Sequence, residues 1–133
     1  MYVDHLGIAV KSLDEAIPRW ERSLGVKASP RETVASQKVT VSFVAVGETH
    51  FELLEPISPE STIAKFLEKR GEGLHHVAIH VESVARKLEE LTALGYPLLD
   101  KVPRLGARGR TIAFAHPSGF GGVLTEFVEG GHA

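Results

Sequence analysis

Gly73-Leu74-His75-His76-Val77-Ala78-Ile79-His80-Val81 carries three of the chain's seven histidines and echoes Asp4-His5-Leu6-Gly7-Ile8-Ala9-Val10 near the start. Both stretches set a histidine ahead of apolar residues that alternate with small ones and close on valine. Strand side chains point alternately to opposite faces. Leu6, Ile8 and Val10 then share one face, and His5, Gly7 and Ala9 the other. In the echo, Val77, Ile79 and Val81 form the apolar face, while His76, Ala78 and His80 form the second. A histidine among small residues on an otherwise uncovered strand face suggests a lined cavity.

Working outward, the whole chain repeats. Ser12 is placed to cap a helix, with Glu15 closing a capping box. Leu13, Ile17, Trp20 and Leu24 recur at helical spacing, with Pro18 inside and Gly25 as the stop. Val39–Val46 and His50–Glu55 read as strands joined at Gly47-Glu48, preceded by a Ser29–Lys38 loop with room for a short strand. After His76–Val81, Ser83 caps a helix with Val84, Leu88 and Leu91 on its buried face, and Gly95 ends it. Thr111–His116 and Val123–Val128 are strands around a Pro117–Gly122 turn. The copies are offset by 71 residues at His5/His76 and Ser12/Ser83, and by 74 at Glu52/Glu126. A short helix through Ser61, Ile63, Phe66 and Leu67 bridges them.

The expected fold is α+β, with two tandem βαβββ modules whose sheets curl around a shared metal-binding cleft. Module one covers about 1–56, the linker helix 57–72 and module two 73–133, in one domain of 133 residues. Neither copy alone is long enough to bury its sheet well.

Composition narrows the function. With 43% hydrophobic residues and a mean hydropathy of zero, an ordinary core is expected. No apolar run is long enough to span a bilayer, and no signal peptide is read, so a cytoplasmic protein without membrane partners is expected. There is no cysteine, which removes disulfides and thiolate chemistry. A net charge of −2 gives no footprint for nucleic acid.

The chemistry sits on the repeat. Glu52 and Glu126 occupy matching positions in the last strand of each copy, among core residues where an unpaired charge is costly. His5 and His76 match in the first strands. Pseudo-twofold pairing would join two imidazoles and two carboxylates, a set suited to Co²⁺, Mn²⁺, Ni²⁺ or Zn²⁺ with positions left for water or substrate. Taken singly, a strand histidine or glutamate is more often a satisfied core or surface residue; the repeat-related quartet favours the metal. Register selects His76 over His75, which falls on the apolar side or its rim. His80 is read as a supporting or structural residue, and His50 and His116 as marginal. The basic run Arg104–Arg110 is a phosphate-binding or, more simply, a solvated loop.

These residues carry a resemblance. Asp4–Val10, Phe51-Glu52-Leu53-Leu54-Glu55-Pro56, Ser61–Leu67, Gly73–Ala78, Leu105–Gly109 and His116-Pro117 leading to Gly122-Val123-Leu124-Thr125-Glu126 resemble the glyoxalase/vicinal-oxygen-chelate superfamily. Within it they are most similar to the methylmalonyl-CoA epimerase family. The resemblance spans nearly the whole chain. It implies His5, Glu52, His76 and Glu126 as metal ligands, cobalt first among the metals, and Glu126 and Gln37 as catalytic residues. It further implies methylmalonyl-CoA as the acyl-CoA substrate, epimerised at C2 through an enolate in propionate metabolism, and a homodimer. One departure stands out. Family members commonly carry Glu-Gln where this chain reads Ser36-Gln37, and that glutamate is the expected second base. Either Glu32 or Glu48 substitutes for it, a bound water relays the proton, or the protein is a divergent relative with a different substrate. Two further readings are a glyoxalase I-like metal-dependent isomerase, and a non-catalytic binding protein like the antibiotic-sequestering members.

Overall fold

The structure, a computed structural model, describes residues 1–131. Fourteen elements follow in order, eight of them strands and three of them α-helices. The strands are β1 Tyr2–Ala9, β2 Glu32–Val34, β3 Val39–Val46, β4 Thr49–Pro56, β5 Gly73–His80, β6 Arg104–Leu105, β7 Thr111–Ala115 and β8 Thr125–Val128. The helices are α1 Leu13–Leu24, α2 Thr62–Arg70 and α3 Val84–Leu94. This is the expected α+β architecture, each copy running strand, helix, strand, strand, strand. Among the described residues no helix is long and apolar enough to cross a membrane.

The chain divides into two compact units, one of His5–His75 and one of Met1–Asp4 with His76–Ala133. In the first, β1 runs parallel to β4, and β4-β3-β2 continue antiparallel. Its helix-side core joins Val10, Leu13, Ala16, Val44 and Leu53. Trp20 meets Phe51 edge to face at 4.9 Å. In the second, β5 runs parallel to β8, and β8-β7-β6 continue antiparallel. Val81, Val84, Leu88, Leu91, Ala113, Ala115 and Phe127 form its core under α3. Tyr2–Asp4 of β1 belong to this unit beside β5, so the full strand order is β2-β3-β4-β1-β5-β8-β7-β6.

The two helix starts differ from each other. Ser83 Oγ accepts the Arg86 N–H at 3.1 Å, as the sequence predicts. Ser12 is the N-cap of α1 but makes no side-chain cap bond, so the expected capping box does not form. Glu55, from β4, replaces it: its Oε1 accepts the Leu13 N–H at 2.6 Å. Ser83→Ala should therefore lower stability by about 1 kcal/mol, while Ser12→Ala should change it by only a few tenths. Urea denaturation of the two variants measures the contrast, and equal losses would contradict it. Leu24, expected on the buried face, is exposed, because it lies in the last turn just before Gly25 ends the helix in the left-handed conformation, φ 70°.

The basic run also departs from expectation. Arg104–Leu105 pair with β7 as a short strand, and Ala107–Gly109 form a 3₁₀ turn. Gly106 is required there, since a Cβ would stand 2.9 Å from Ile112 Cγ2. Arg110 is buried rather than solvated. Its Nη1 and Nη2 donate to Asp4 Oδ2 and Oδ1 at 2.9 and 2.7 Å, and Nη2 also donates to the Gly130 carbonyl at 2.9 Å.

Candidate metal centre

Each unit builds one half-site on the same plan. Residues directly opposite one another in adjacent strands share a sheet face. In the first unit Gly7 is opposite Glu52, and Glu52 is opposite Phe43, which puts Glu52 and Phe43 on the face of His5 and away from α1. His5 Nε2 lies 3.3 Å from Glu52 Oε1, with both side chains buried. Phe43 meets the His5 ring edge to face, 5.9 Å between centroids at 83°. In the second unit Ala78 is opposite Glu126, and Glu126 is opposite Phe114. His76 Nε2 lies 3.2 Å from Glu126 Oε1, again buried, and Phe114 meets the His76 ring at 5.4 Å and 84°.

The donor chemistry fits a divalent cation. Two donors bound to one cation at about 2.0–2.2 Å each stand roughly 3.0–3.5 Å apart at octahedral or tetrahedral angles. The spacing within each pair, 3.3 and 3.2 Å, falls in that range. Imidazole nitrogen and carboxylate oxygen together suit borderline first-row metals better than calcium, which prefers oxygen alone. Among the described residues, His5, Glu52, His76 and Glu126 are a buried group that could hold a metal ion.

Among the other described histidines, His50 is opposite His5 in the β1–β4 pairing and so shares the half-site face. His75 packs edge to face on Phe66 of the linker helix at 5.1 Å. His80 stacks on Tyr2 at 4.6 Å and 7°. His116 caps a 3₁₀ turn, its Nδ1 accepting the Ser118 N–H at 3.0 Å. His50 lies edge-on to Phe43 at 6.2 Å. Gln37 is half-buried at the end of the 3₁₀ turn Ala35–Gln37, beside exposed Ser36.

Sequence reasoning missed Phe43 and Phe114. Both read as ordinary core residues, yet their numbers differ by the same 71 that separates His5 from His76, and each faces its half-site's glutamate. They are packing walls that hold each imidazole plane and keep water from its side.

Comparison with known proteins agrees with this plan. The profile of the Glyoxalase/Bleomycin resistance protein/Dioxygenase superfamily matches residues 4–114. The chain is 42% identical over 127 residues to the uncharacterized protein YqjC of Bacillus subtilis, covering 96% of this chain and 91% of that protein. It is 34% identical to the ethylmalonyl-CoA/methylmalonyl-CoA epimerase of Cereibacter sphaeroides, over 96% of each chain. Among solved structures, a Streptomyces coelicolor methylmalonyl-CoA epimerase variant in complex with 2-nitronate-propionyl-CoA superposes with a TM-score of 0.93 at 32% identity, covering 97% of this chain and 94% of that one. The duplicated half-site plan and these matches together place the chain in the Glyoxalase/Bleomycin resistance protein/Dioxygenase superfamily, on its methylmalonyl-CoA epimerase branch.

Proposed function

We propose that the chain interconverts the two C2 epimers of methylmalonyl-CoA, with His5, Glu52, His76 and Glu126 sharing one divalent ion. The observation that carries this reading is the doubled half-site: two buried Nε2–Oε1 pairs of nearly equal spacing, each walled by a phenylalanine. A structural histidine–glutamate pair has no need to occur twice at repeat-equivalent positions. Cobalt heads the candidate metals, with Mn²⁺, Ni²⁺ and Zn²⁺ compatible with the same donors. A homodimer, a cytoplasmic setting and a place in propionate metabolism belong to the same reading, on the strength of the family likeness.

A C–H beside a thioester is a weak acid, because its removal puts charge on the thioester oxygen. A divalent cation held by the four side chains supplies Lewis-acid stabilisation of that charge. The protein's own groups move the proton and orient the substrate. Glu126 Oε2 takes the C2 proton on one face, and the Gln37 amide donates a hydrogen bond to the acyl group.

Inversion needs a second group for the opposite face, and a serine hydroxyl at position 36 is too weak a base. Register supports Glu32. It is opposite Val41, on the same sheet face as Phe43 and Glu52, and is half-buried. Glu48 sits exposed in the hairpin turn between β3 and β4. Glu32→Gln should lower turnover by about 10²–10⁴-fold, the usual worth of a positioned acid–base group. Glu48→Gln should leave it within twofold of the parent. The reverse pattern in a steady-state assay would move the role to Glu48.

The functional test is exchange at C2. Incubated in D₂O with the metal-loaded protein, methylmalonyl-CoA should gain deuterium at that carbon. No exchange above the protein-free rate, together with turnover of a thiol hemithioacetal, would instead establish a glyoxalase I-like isomerase.

A further inference from the structure

A basic groove runs along the linker helix α2. Its volume is about 310 Å³, and Thr62, Lys65, Phe66, Lys69, Arg70 and His75 line it. Lys65 and Lys69 lie one helical turn apart and share a face, as do Phe66 and Arg70. The half-buried Phe66 ring has the Arg70 guanidinium over it at 5.9 Å and the His75 ring edge-on at 5.1 Å. Lys65, Lys69 and Arg70 are exposed, and among the described residues no ion pair is recorded for any of them. The acids nearby are already engaged. Glu60 pairs with Lys38 at 2.6 Å, and Glu72 accepts the Lys11 N–H at 2.8 Å. Glu68 alone offsets the three cations, in a chain whose net charge is −2.

One end of the groove is tied to Gln37. Ser61, which precedes Thr62, donates from Oγ to the Gln37 carbonyl at 3.5 Å, and the Ile57 N–H donates to the Lys38 carbonyl at 3.0 Å. Gln37 is the residue that the epimerase reading sets on the acyl group. From Ser61 to Arg70 the helix advances roughly 13 Å, at about 1.5 Å per residue. In an acyl-CoA, the arm between sulfur and diphosphate has about the reach of four extended residues, roughly 13–14 Å. A thioester whose acyl group meets Gln37 can therefore lay its phosphates along the cation-bearing end of α2.

We propose that this groove holds the nucleotide of coenzyme A, with the 3′-phosphate and diphosphate on Lys65, Lys69 and Arg70 and the adenine against the Phe66–Arg70 surface. The choice of ligand rests on the epimerase reading above. The nucleotide carries three phosphate groups, which a chain of net negative charge does not attract as a whole. A local cluster of cations without partners does. Phosphate oxygens accept charge-assisted hydrogen bonds from ammonium and guanidinium groups. A purine stacks on an aromatic ring or a guanidinium plane. The competing structural role is to complement the helix dipole, since Lys69 and Arg70 lie in the last turn of α2. That role would be blind to the nucleotide and does not call for Lys65, a turn earlier.

The experiment compares the metal-loaded protein with a Lys65→Ala/Lys69→Ala/Arg70→Ala variant and a charge-keeping Lys65→Arg/Lys69→Arg/Arg70→Lys variant. In calorimetric titration with coenzyme A, the alanine variant should bind about 10–100-fold more weakly, the worth of three exposed charge-assisted contacts. The charge-keeping variant should stay within about threefold of the parent. In C2 exchange, the alanine variant's KM for methylmalonyl-CoA should rise by the same factor with kcat held, because a remote nucleotide is gripped equally in ground and transition states. Its KM for methylmalonyl-pantetheine, which has no nucleotide, should stay within about twofold. Unchanged coenzyme A binding in the alanine variant would overturn the groove, and so would equal rises in KM for both esters. If the parent exchanges no deuterium yet its coenzyme A binding depends on the three cations, the groove stands and the epimerase reading fails. If the parent exchanges while its coenzyme A affinity ignores the three cations, the groove alone is refuted. If it neither exchanges nor binds coenzyme A, both fall.

Discussion

Arg110→Ala is expected to cost about 3–5 kcal/mol of stability, the range for breaking a buried ion pair by removing one partner. Asp4 and Arg110 are nearly inaccessible, with side chains 1% and 6% exposed. Two parallel bonds join them, and the arginine also reaches the Gly130 carbonyl. Truncation would leave the Asp4 carboxylate in a dry site with its counter-ion gone. In a domain of this size the melting temperature should fall by roughly 10 °C or more. Asp4→Asn in the same background should recover part of the loss by removing the stranded charge. Chemical denaturation of the single and double variants gives the coupling between the two residues, and simple additivity would mean that the pair contributes little.

His76→Ala should affect chemistry far more than stability. The variant should lose its bound divalent ion and at least about 10³-fold in C2 exchange, since one electrostatic contact to a developing oxyanion is already worth about 10²–10³-fold. Its far-ultraviolet circular dichroism should match the parent, and its melting point should fall by only a few degrees from the space left beside Phe114. Metal analysis of the purified variant decides the assignment: full metal content with full activity would remove His76 from the site. Chelating the ion from the parent protein should reproduce the same loss of exchange, and re-addition of Co²⁺ should restore it.

The two variants mark where the sequence was readable. Metal candidates could be read because duplication repeats them, so that His5/His76 and Glu52/Glu126 stand at nearly the same offset. Helix α3 was readable because its signals are local: a Ser83 cap, Val84, Leu88 and Leu91 on one face, and Gly95 at its end. The Asp4–Arg110 pair joins residues 106 positions apart, and no local pattern announces such a partner. The same holds for Glu55, which caps a helix 42 residues earlier in the chain. Alternation assigned Phe43 and Phe114 to a strand correctly, but their contact with the imidazoles follows only from cross-strand register. Arg104 lies in a run of three arginines that reads as a phosphate-binding or solvated loop, and only the β6–β7 pairing gives it a face.

The segment Met1–Asp4 groups with the far half of the molecule, and this has a consequence for synthesis. Asp4 is made before its guanidinium partner, which follows 106 residues later. At about 5–20 residues per second, that is roughly 5–20 s between the synthesis of the carboxylate and that of its arginine partner. The His5–His75 unit has time to fold in the interval, and Met1–Asp4 are fastened only once Arg110 has been made.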